Sequence, residues 1–164
     1  MERSHVAAAL VLAACFGVAL AAGPYGADIR SLAAEGGTDA YATGSMEATV
    51  LETPDTVRLD RVQENGTDYY RLLVPAVTVD IANVTGRPAL TYRLQIAEVG
   101  HTRVTAHVLS SAQEGRFSAT LEPTEIEADR VGNDSYVGEL TVITRSDRGT
   151  EFVHESTVTV RVGD

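Results

Sequence analysis

The chain of 164 residues carries 23 acidic and 13 basic side chains, which gives a formal net charge of −10. All 13 basic residues are arginine, and the sequence contains no lysine. The phosphate groups of nucleic acids would repel so acidic a surface, so the composition excludes nucleic-acid binding through a basic stripe. With 44% apolar residues, the chain can form a hydrophobic core and is not a disordered acidic polymer.

The N-terminal residues 1–22 contain an apolar run from Val6 to Ala22, preceded by one arginine and followed by Pro24. This arrangement is typical of a secretory signal peptide. The run is also just long enough to remain as a membrane anchor. Either alternative predicts an extracytoplasmic protein, which is secreted or anchored to the outer face of the cell membrane.

A third alternative for the N-terminus depends on Cys15, the single cysteine of the chain. The segment Leu12-Ala13-Ala14-Cys15 matches the lipobox of exported lipoproteins, in which the cysteine thiol carries the lipid. The residues after Cys15 stay apolar, whereas lipoproteins usually continue with a polar tether. Cys15 is therefore a possible lipidation site, and the rest of the chain has no cysteine for disulfides.

Residues 23–45 are rich in Gly, Ala and acidic side chains and have no sustained period, which predicts a flexible spacer. From residue 46 to 164, apolar residues alternate with polar ones and turn residues separate the runs, which indicates about eight β-strands. The alternating apolar positions are Val77, Val79, Ile81; Leu90, Tyr92, Leu94, Ile96; Val104, Ala106, Val108; Phe117, Ala119, Leu121; Tyr136, Leu140, Val142; Val158, Val160, Val162. With no helix to make parallel crossovers, we expect antiparallel sheets in an immunoglobulin-like two-sheet sandwich.

One segment makes this expectation more specific. Residues 134–142 resemble the penultimate strand of immunoglobulin-like domains, in which an early tyrosine, here Tyr136, bonds back to the preceding corner. Gly138 stands where the antibody families have a cysteine, so the resemblance is to the disulfide-free, fibronectin-like or CARDB-like sandwiches of prokaryotic surface proteins. It covers residues 50–162.

The composition resembles that of proteins from extremely halophilic archaea. Molar salt shortens the Debye length to about 3 Å, so acidic side chains can accumulate without destabilising repulsion. Arginine still forms bidentate pairs with the abundant carboxylates. A GC-rich genome would also favour arginine over lysine, but coding bias alone does not explain the excess of acidic residues.

Glycosylation has the strongest motif support. The three asparagines of the chain, Asn65, Asn83 and Asn133, all stand in Asn-X-Ser/Thr sequons. Each falls at a predicted strand end or turn, where a glycosyltransferase could reach it. Asparagine also favours turns for backbone reasons, so the pattern has an alternative explanation.

Motifs for catalysis or metal binding are scarce. His101 and His107 lie about 20 Å apart on one predicted strand, so they cannot share one metal. His154 could approach one of them, but no motif supplies a third ligand. We interpret all three as surface or packing residues. The alternating Glu125, Glu127 and Asp129, with Asp134 nearby, resemble no calcium loop and predict a solvated acidic face. We therefore predict no catalytic, metal or cofactor site.

These observations predict an exported cell-surface or envelope module with a binding or structural role. Its partner would be another surface protein or envelope component, bound through loops or an edge strand, with Ser156–Val162 as the edge candidate. One alternative is a pilin-like filament subunit with residues 6–22 as its core helix, although the expected cleavage site is missing. A hydrolase is a further alternative.

Overall fold

The alternating pattern forms an all-β structure in the computed structural model, which describes residues 42–163. Ten strands and three short 3-10 turns make up the regular structure of this part of the chain. The strands are β1 (Thr43–Glu52), β2 (Thr56–Glu64), β3 (Thr67–Leu73), β4 (Val77–Arg87), β5 (Ala89–Ile96), β6 (His101–Val108), β7 (Gly115–Ala119), β8 (Thr124–Glu127), β9 (Ser135–Ser146) and β10 (Gly149–Gly163).

The strands form two sheets. One has the order β1-β4-β7, and the other has the order β6-β5-β9-β10-β2-β3-β8. The hydrophobic core draws on both sheets, because Val79 and Ile81 of β4 and Tyr92 and Leu94 of β5 are at most 1% exposed. The predicted all-β architecture with two sheets is confirmed, and the arrangement is consistent with a β-sandwich.

The prediction that every strand pair is antiparallel is wrong for one pair. β10 runs parallel to β2, with Val160 opposite Val57 and Val162 opposite Leu59. A parallel pair needs a long connection, and the prediction assumed that only a helix could supply it. β2 and β10 are far apart in the sequence, so the strands between them make the connection.

The structure has ten strands in its described part, more than the predicted eight or so. Residues 43–73 account for much of the difference, because they form three strands in which charged residues interrupt the apolar alternation. Arg61 and Asp68, for example, form an ion pair at 2.6 Å across the β2–β3 hairpin. β1 also begins at Thr43, inside the stretch 23–45 that the sequence predicts to be spacer.

The apolar row of β6 faces away from the core, contrary to the prediction. The buried Leu90, Tyr92 and Leu94 of β5 stand opposite His107, Thr105 and Arg103, so these polar residues share the core-facing side. The β6 outer row therefore consists of Thr102, Val104, Ala106 and Val108. The alternation of apolar and polar residues along a strand does not by itself determine which face of the strand is buried.

The predicted signal or anchor segment 1–22 and its possible lipidation site Cys15 lie outside the described residues, as does most of the predicted spacer. Within residues 42–163, no helix has the length and apolar character that crossing a bilayer requires.

Candidate functional site

Asn65 occupies the tip of the β2–β3 hairpin. Its φ is 53° and that of Gly66 is 81°, which are the positive values that a two-residue type I′ turn requires. Both residues are exposed. The turn predicted at Asn65-Gly66 is thus confirmed, and the first sequon lies at a tip that an enzyme can approach.

Asn83 does not lie at a strand end as predicted, because β4 continues to Arg87. Asn83 has a φ of 53° and sits where the register with β1 shifts, so its exposed side chain belongs to a bulge. The Val84 N–H donates to a Glu114 carboxylate oxygen at 2.7 Å. The Thr85 hydroxyl accepts a hydrogen bond from the Ser45 N–H at 3.0 Å. The backbone after Asn83 and the hydroxyl of its sequon are therefore already engaged.

Asn133 lies in the exposed loop before β9, and Tyr136 holds this loop in place. The hydroxyl of Tyr136 accepts hydrogen bonds from the N–H groups of Gly132 at 2.8 Å and Asn133 at 2.9 Å. This confirms the prediction that Tyr136 bonds back to its preceding corner. Tyr136 is 5% exposed, so the corner is bonded to a residue of the core.

Gly138, which is expected from the sequence to stand where the antibody families have a cysteine, is a buried residue of β9. A Cβ atom there would lie 3.0 Å from the Leu94 Cδ1 and 3.0 Å from the Val158 Cγ2 atoms. Even an alanine would require these neighbours to move, because 3.0 Å is well inside normal carbon contact. Glycine at residue 138 therefore fits the close packing of these side chains.

The histidines do not converge on a metal site. His107 contacts the Thr120 carbonyl at 3.1 Å and packs edge-on against the Phe117 ring at 5.4 Å between centroids. His101 is at the other end of β6, and His154 is on β10. In the described part of the chain, no three His, Cys, Asp or Glu side chains lie close enough together to hold a metal ion.

His101 gives the fold a pH dependence. Burial lowers the pKa of His101, and the nearby Arg130 and Arg103 lower it further. The unfolded chain, with a histidine pKa of about 6.5, then binds the proton more readily than the folded chain does. The free energy of unfolding should therefore fall as the pH drops below about 6.5, until the pH passes the folded-state pKa.

The measurement for this effect is chemical denaturation between about pH 5 and 7, above most carboxylate titrations. His101→Gln is expected to flatten the pH dependence, because the side chain that titrates is removed. If His101→Gln lost stability on acidification as steeply as the original chain, the pH dependence would come from other groups.

The acidic row lies on β8 only in part. Glu125 and Glu127 are in the strand, but Asp129 belongs to the 3-10 turn that follows, so the three alternating residues do not form the face of one strand as predicted. These residues border an open cleft of about 490 Å³ beside Asp68 and Tyr69. Arg71 of β3 approaches the Glu125 carboxylate at 3.8 Å. Asp134 is not among the residues that line this cleft.

The sequence did not predict a second cleft, of about 390 Å³, because its walls come from separate segments. Its lining is mainly apolar, from Leu73, Val74, Pro75, Leu121 and Pro123, and Thr56 and Arg58 complete it. Arg58, its one charged residue, is paired with Asp60 at 3.0 Å. This cleft therefore offers mainly apolar contact.

The predicted edge strand is wrong. Ser156–Val162 belongs to β10, which lies between β9 and β2 in the seven-stranded sheet. The outermost strands of the described sheets are β6 and β8 in the larger sheet and β1 and β7 in the smaller one. Any strand added by a partner would have to pair with one of these four.

No protein-family model matches the chain, and no curated protein matches it. One solved structure, the X-ray structure of the Northeast Structural Genomics Consortium target SoR45, is similar to it at 10% sequence identity. The match covers 74% of this chain and 88% of that chain, with a TM-score of 0.26. A TM-score this low gives no information about fold family or function.

Proposed function

We propose that this protein is an exported or membrane-anchored β-sandwich module of the cell surface or envelope. Its role is binding or structural rather than enzymatic, its asparagines carry glycans, and its surface is adapted to high salt, as in halophilic archaea. It acts on another surface protein or envelope component through its loops or an edge strand. The clefts, which offer apolar contact and paired charges, support binding more than catalysis.

We infer an immunoglobulin-like topology for the sandwich. Strands β1, β4 and β7 would correspond to A, B and E, and strands β6, β5, β9 and β10 to C′, C, F and G. The β2–β3 hairpin and β8 would then be additions that extend the larger sheet beyond G. The hydrogen bonds from the corner to Tyr136, at the start of β9, support this correspondence because strand F carries such a tyrosine.

The observation that carries the proposal is the exposure of all three sequon asparagines. Asn65, Asn83 and Asn133 are each exposed, and the chain has no other asparagine. Glycans are bulky and soluble, so they require surface positions in a protein that passes through an export pathway. The signal-like residues 1–22 support the same location.

The three sites are expected to differ in occupancy when the protein is isolated from its native host. Asn65 and Asn133 lie in a turn and a loop, so they remain accessible after folding. Asn83 lies in a bulge within β4, and the Thr85 hydroxyl is bonded to Ser45, so folding hinders recognition of this sequon. Mass spectrometry of the glycopeptides should find higher occupancy at Asn65 and Asn133 than at Asn83.

Thr67→Ala and Ser135→Ala provide matched controls, because they destroy a sequon without changing the asparagine or its backbone conformation. Each is expected to remove the glycan from its own site alone. The same experiment identifies the mature N-terminus and any lipid on Cys15. Three bare peptides together with an intact, unprocessed N-terminus would refute the proposed function.

A further inference from the structure

We propose that the free edge of β6 is an interface between two copies of this chain. In it, β6 of one copy pairs antiparallel with β6 of the second copy and joins the two larger sheets. This inference rests on the proposed function, in which the module acts through an edge strand, and it identifies that edge as β6. The paired strands would be related by a two-fold axis, the symmetry most common among soluble homodimers.

The other three outermost strands have features that hinder pairing. β1 has two shifts of register against β4, and its Gly44 has a φ of 85°. β7 has only five residues and begins at Gly115 with a φ of 93°. β8 has four residues, follows Pro123 and carries exposed carboxylates. Shortness, bulges, proline and charge are the features with which proteins protect sheet edges from association.

β6 lacks these features. All eight of its residues pair with β5 in unbroken register, from His101 opposite Ile96 to Val108 opposite Ala89. The strand contains no glycine, proline or carboxylate, and its one arginine, Arg103, is engaged on the core-facing side by Glu122 at 2.8 Å. Among the described residues, no strand lies on its other side. A regular row of backbone donors and acceptors is thus available to a second strand.

The β6 outer row has the composition of an interface rather than of a solvated face. It consists of one threonine, Thr102, followed by three small or β-branched apolar residues, and Val108 is 39% exposed. Side chains of this kind stabilise a sheet when they contact similar side chains on the neighbouring strand. The protein as a whole is acidic, so an apolar row on its outside needs an explanation. A second strand that pairs with the free edge of β6 would cover this row.

The distribution of charge favours a second copy as the occupant. Between Asp80 and Glu114 the only acidic residue is Glu98, although the whole chain has 23 of them. β5 and β6 themselves contain no carboxylate, and the Glu122 side chain that reaches β6 is paired with Arg103 at 2.8 Å, so two copies would bring few negative charges together at this edge. β5 and β6 themselves contain no sequon, because no asparagine lies between Asn83 and Asn133.

The sequence of β6 is compatible with pairing to itself. An antiparallel pair centred on Val104 places Val104 opposite its equivalent and Thr102 opposite Ala106 on the outer face. On the other face it places Arg103 opposite Thr105 and His101 opposite His107. The register thus brings together no two carboxylates and no two arginines, and it puts apolar and threonine side chains together.

The first test is sedimentation equilibrium of the full chain in high salt, where a concentration-dependent dimer is expected. Val104→Lys places two ammonium groups opposite each other at the axis, and it should raise the dissociation constant by at least about tenfold. Thr157→Lys is the matched control, because Thr157 is exposed on the same sheet face but in the central strand β10. It should leave the dissociation constant unchanged.

A second test does not depend on how well the lysine variant folds. In a Cys15→Ser background, Val104→Cys should form a disulfide-linked dimer on oxidation, because the paired Cα atoms would be within about 4.5–5.5 Å. Thr157→Cys should stay monomeric under the same conditions. A full chain that is monomeric at all concentrations, or a dimer that Val104→Lys leaves intact, would overturn this interface. Neither result bears on export or glycosylation, which the mass spectra test separately.

Discussion

Deletion of Ser156–Val162 is expected to abolish folding. This segment pairs with β9 on one side and with β2 on the other, so its loss divides the seven-stranded sheet. It also removes Val158 and Val160, which are 2% and 0% exposed, from the core. Circular dichroism and limited proteolysis in high salt should show an unfolded chain.

A pair of neighbouring substitutions tests the same point without a deletion. Val160→Asp buries a carboxylate that has no partner, and we expect it to lower the free energy of unfolding by about 3–5 kcal/mol or more. Thr159→Asp changes the exposed outer face of the same strand and should cost no more than about 0.5 kcal/mol. If denaturant unfolding showed a similar loss of unfolding free energy for Val160→Asp and Thr159→Asp, β10 would not be a central strand.

Replacement of Tyr136 should have the second largest effect. Tyr136→Ala leaves a cavity in the core and removes the acceptor for two backbone N–H groups, at an expected cost of about 3–5 kcal/mol. Tyr136→Phe keeps the ring and loses only the hydroxyl, and it should cost about 1–3 kcal/mol because the corner amides lose their partner. Both costs are measured by denaturant unfolding.

Tyr69→Phe is the control for the loss of a hydroxyl. The Tyr69 hydroxyl bonds to the side chains of Glu64 and Arg71 on the β2–β3 hairpin, and no backbone group depends on it. Removal of this hydroxyl should lower the free energy of unfolding by less than about 1 kcal/mol. If Tyr136→Phe were as mild as Tyr69→Phe, the corner would be held by the surrounding packing and not by the hydroxyl of Tyr136.

The candidate surfaces could be predicted from the sequence only in part. The sequons are local motifs, and the turn at Asn65-Gly66 follows from residues that tolerate positive φ. The position of Asn83 could not be predicted, because its bulge arises from the register between β4 and β1. The apolar cleft could not be predicted either, because three separate segments form its walls.

The sequence by itself determined the class of the fold and the corner at Tyr136. Period-two alternation is a property of each strand alone, so Leu90, Tyr92, Leu94 and Ile96 indicate a strand wherever it lies in a sheet. The bond from Tyr136 to its corner likewise spans only three and four residues. Both features follow from interactions between residues that are close together in the chain.

Only the tertiary structure decided which strands are central and which are edges. The apolar residues of β6 and β10 alternate in the same way, yet β6 turns its apolar row outward at an edge and β10 buries its own between two strands. Strand order depends on pairing between distant segments, such as the parallel pair β2 and β10. The physical reason is that a strand satisfies its backbone equally well with any partner, so the choice is made by how all side chains pack into one core.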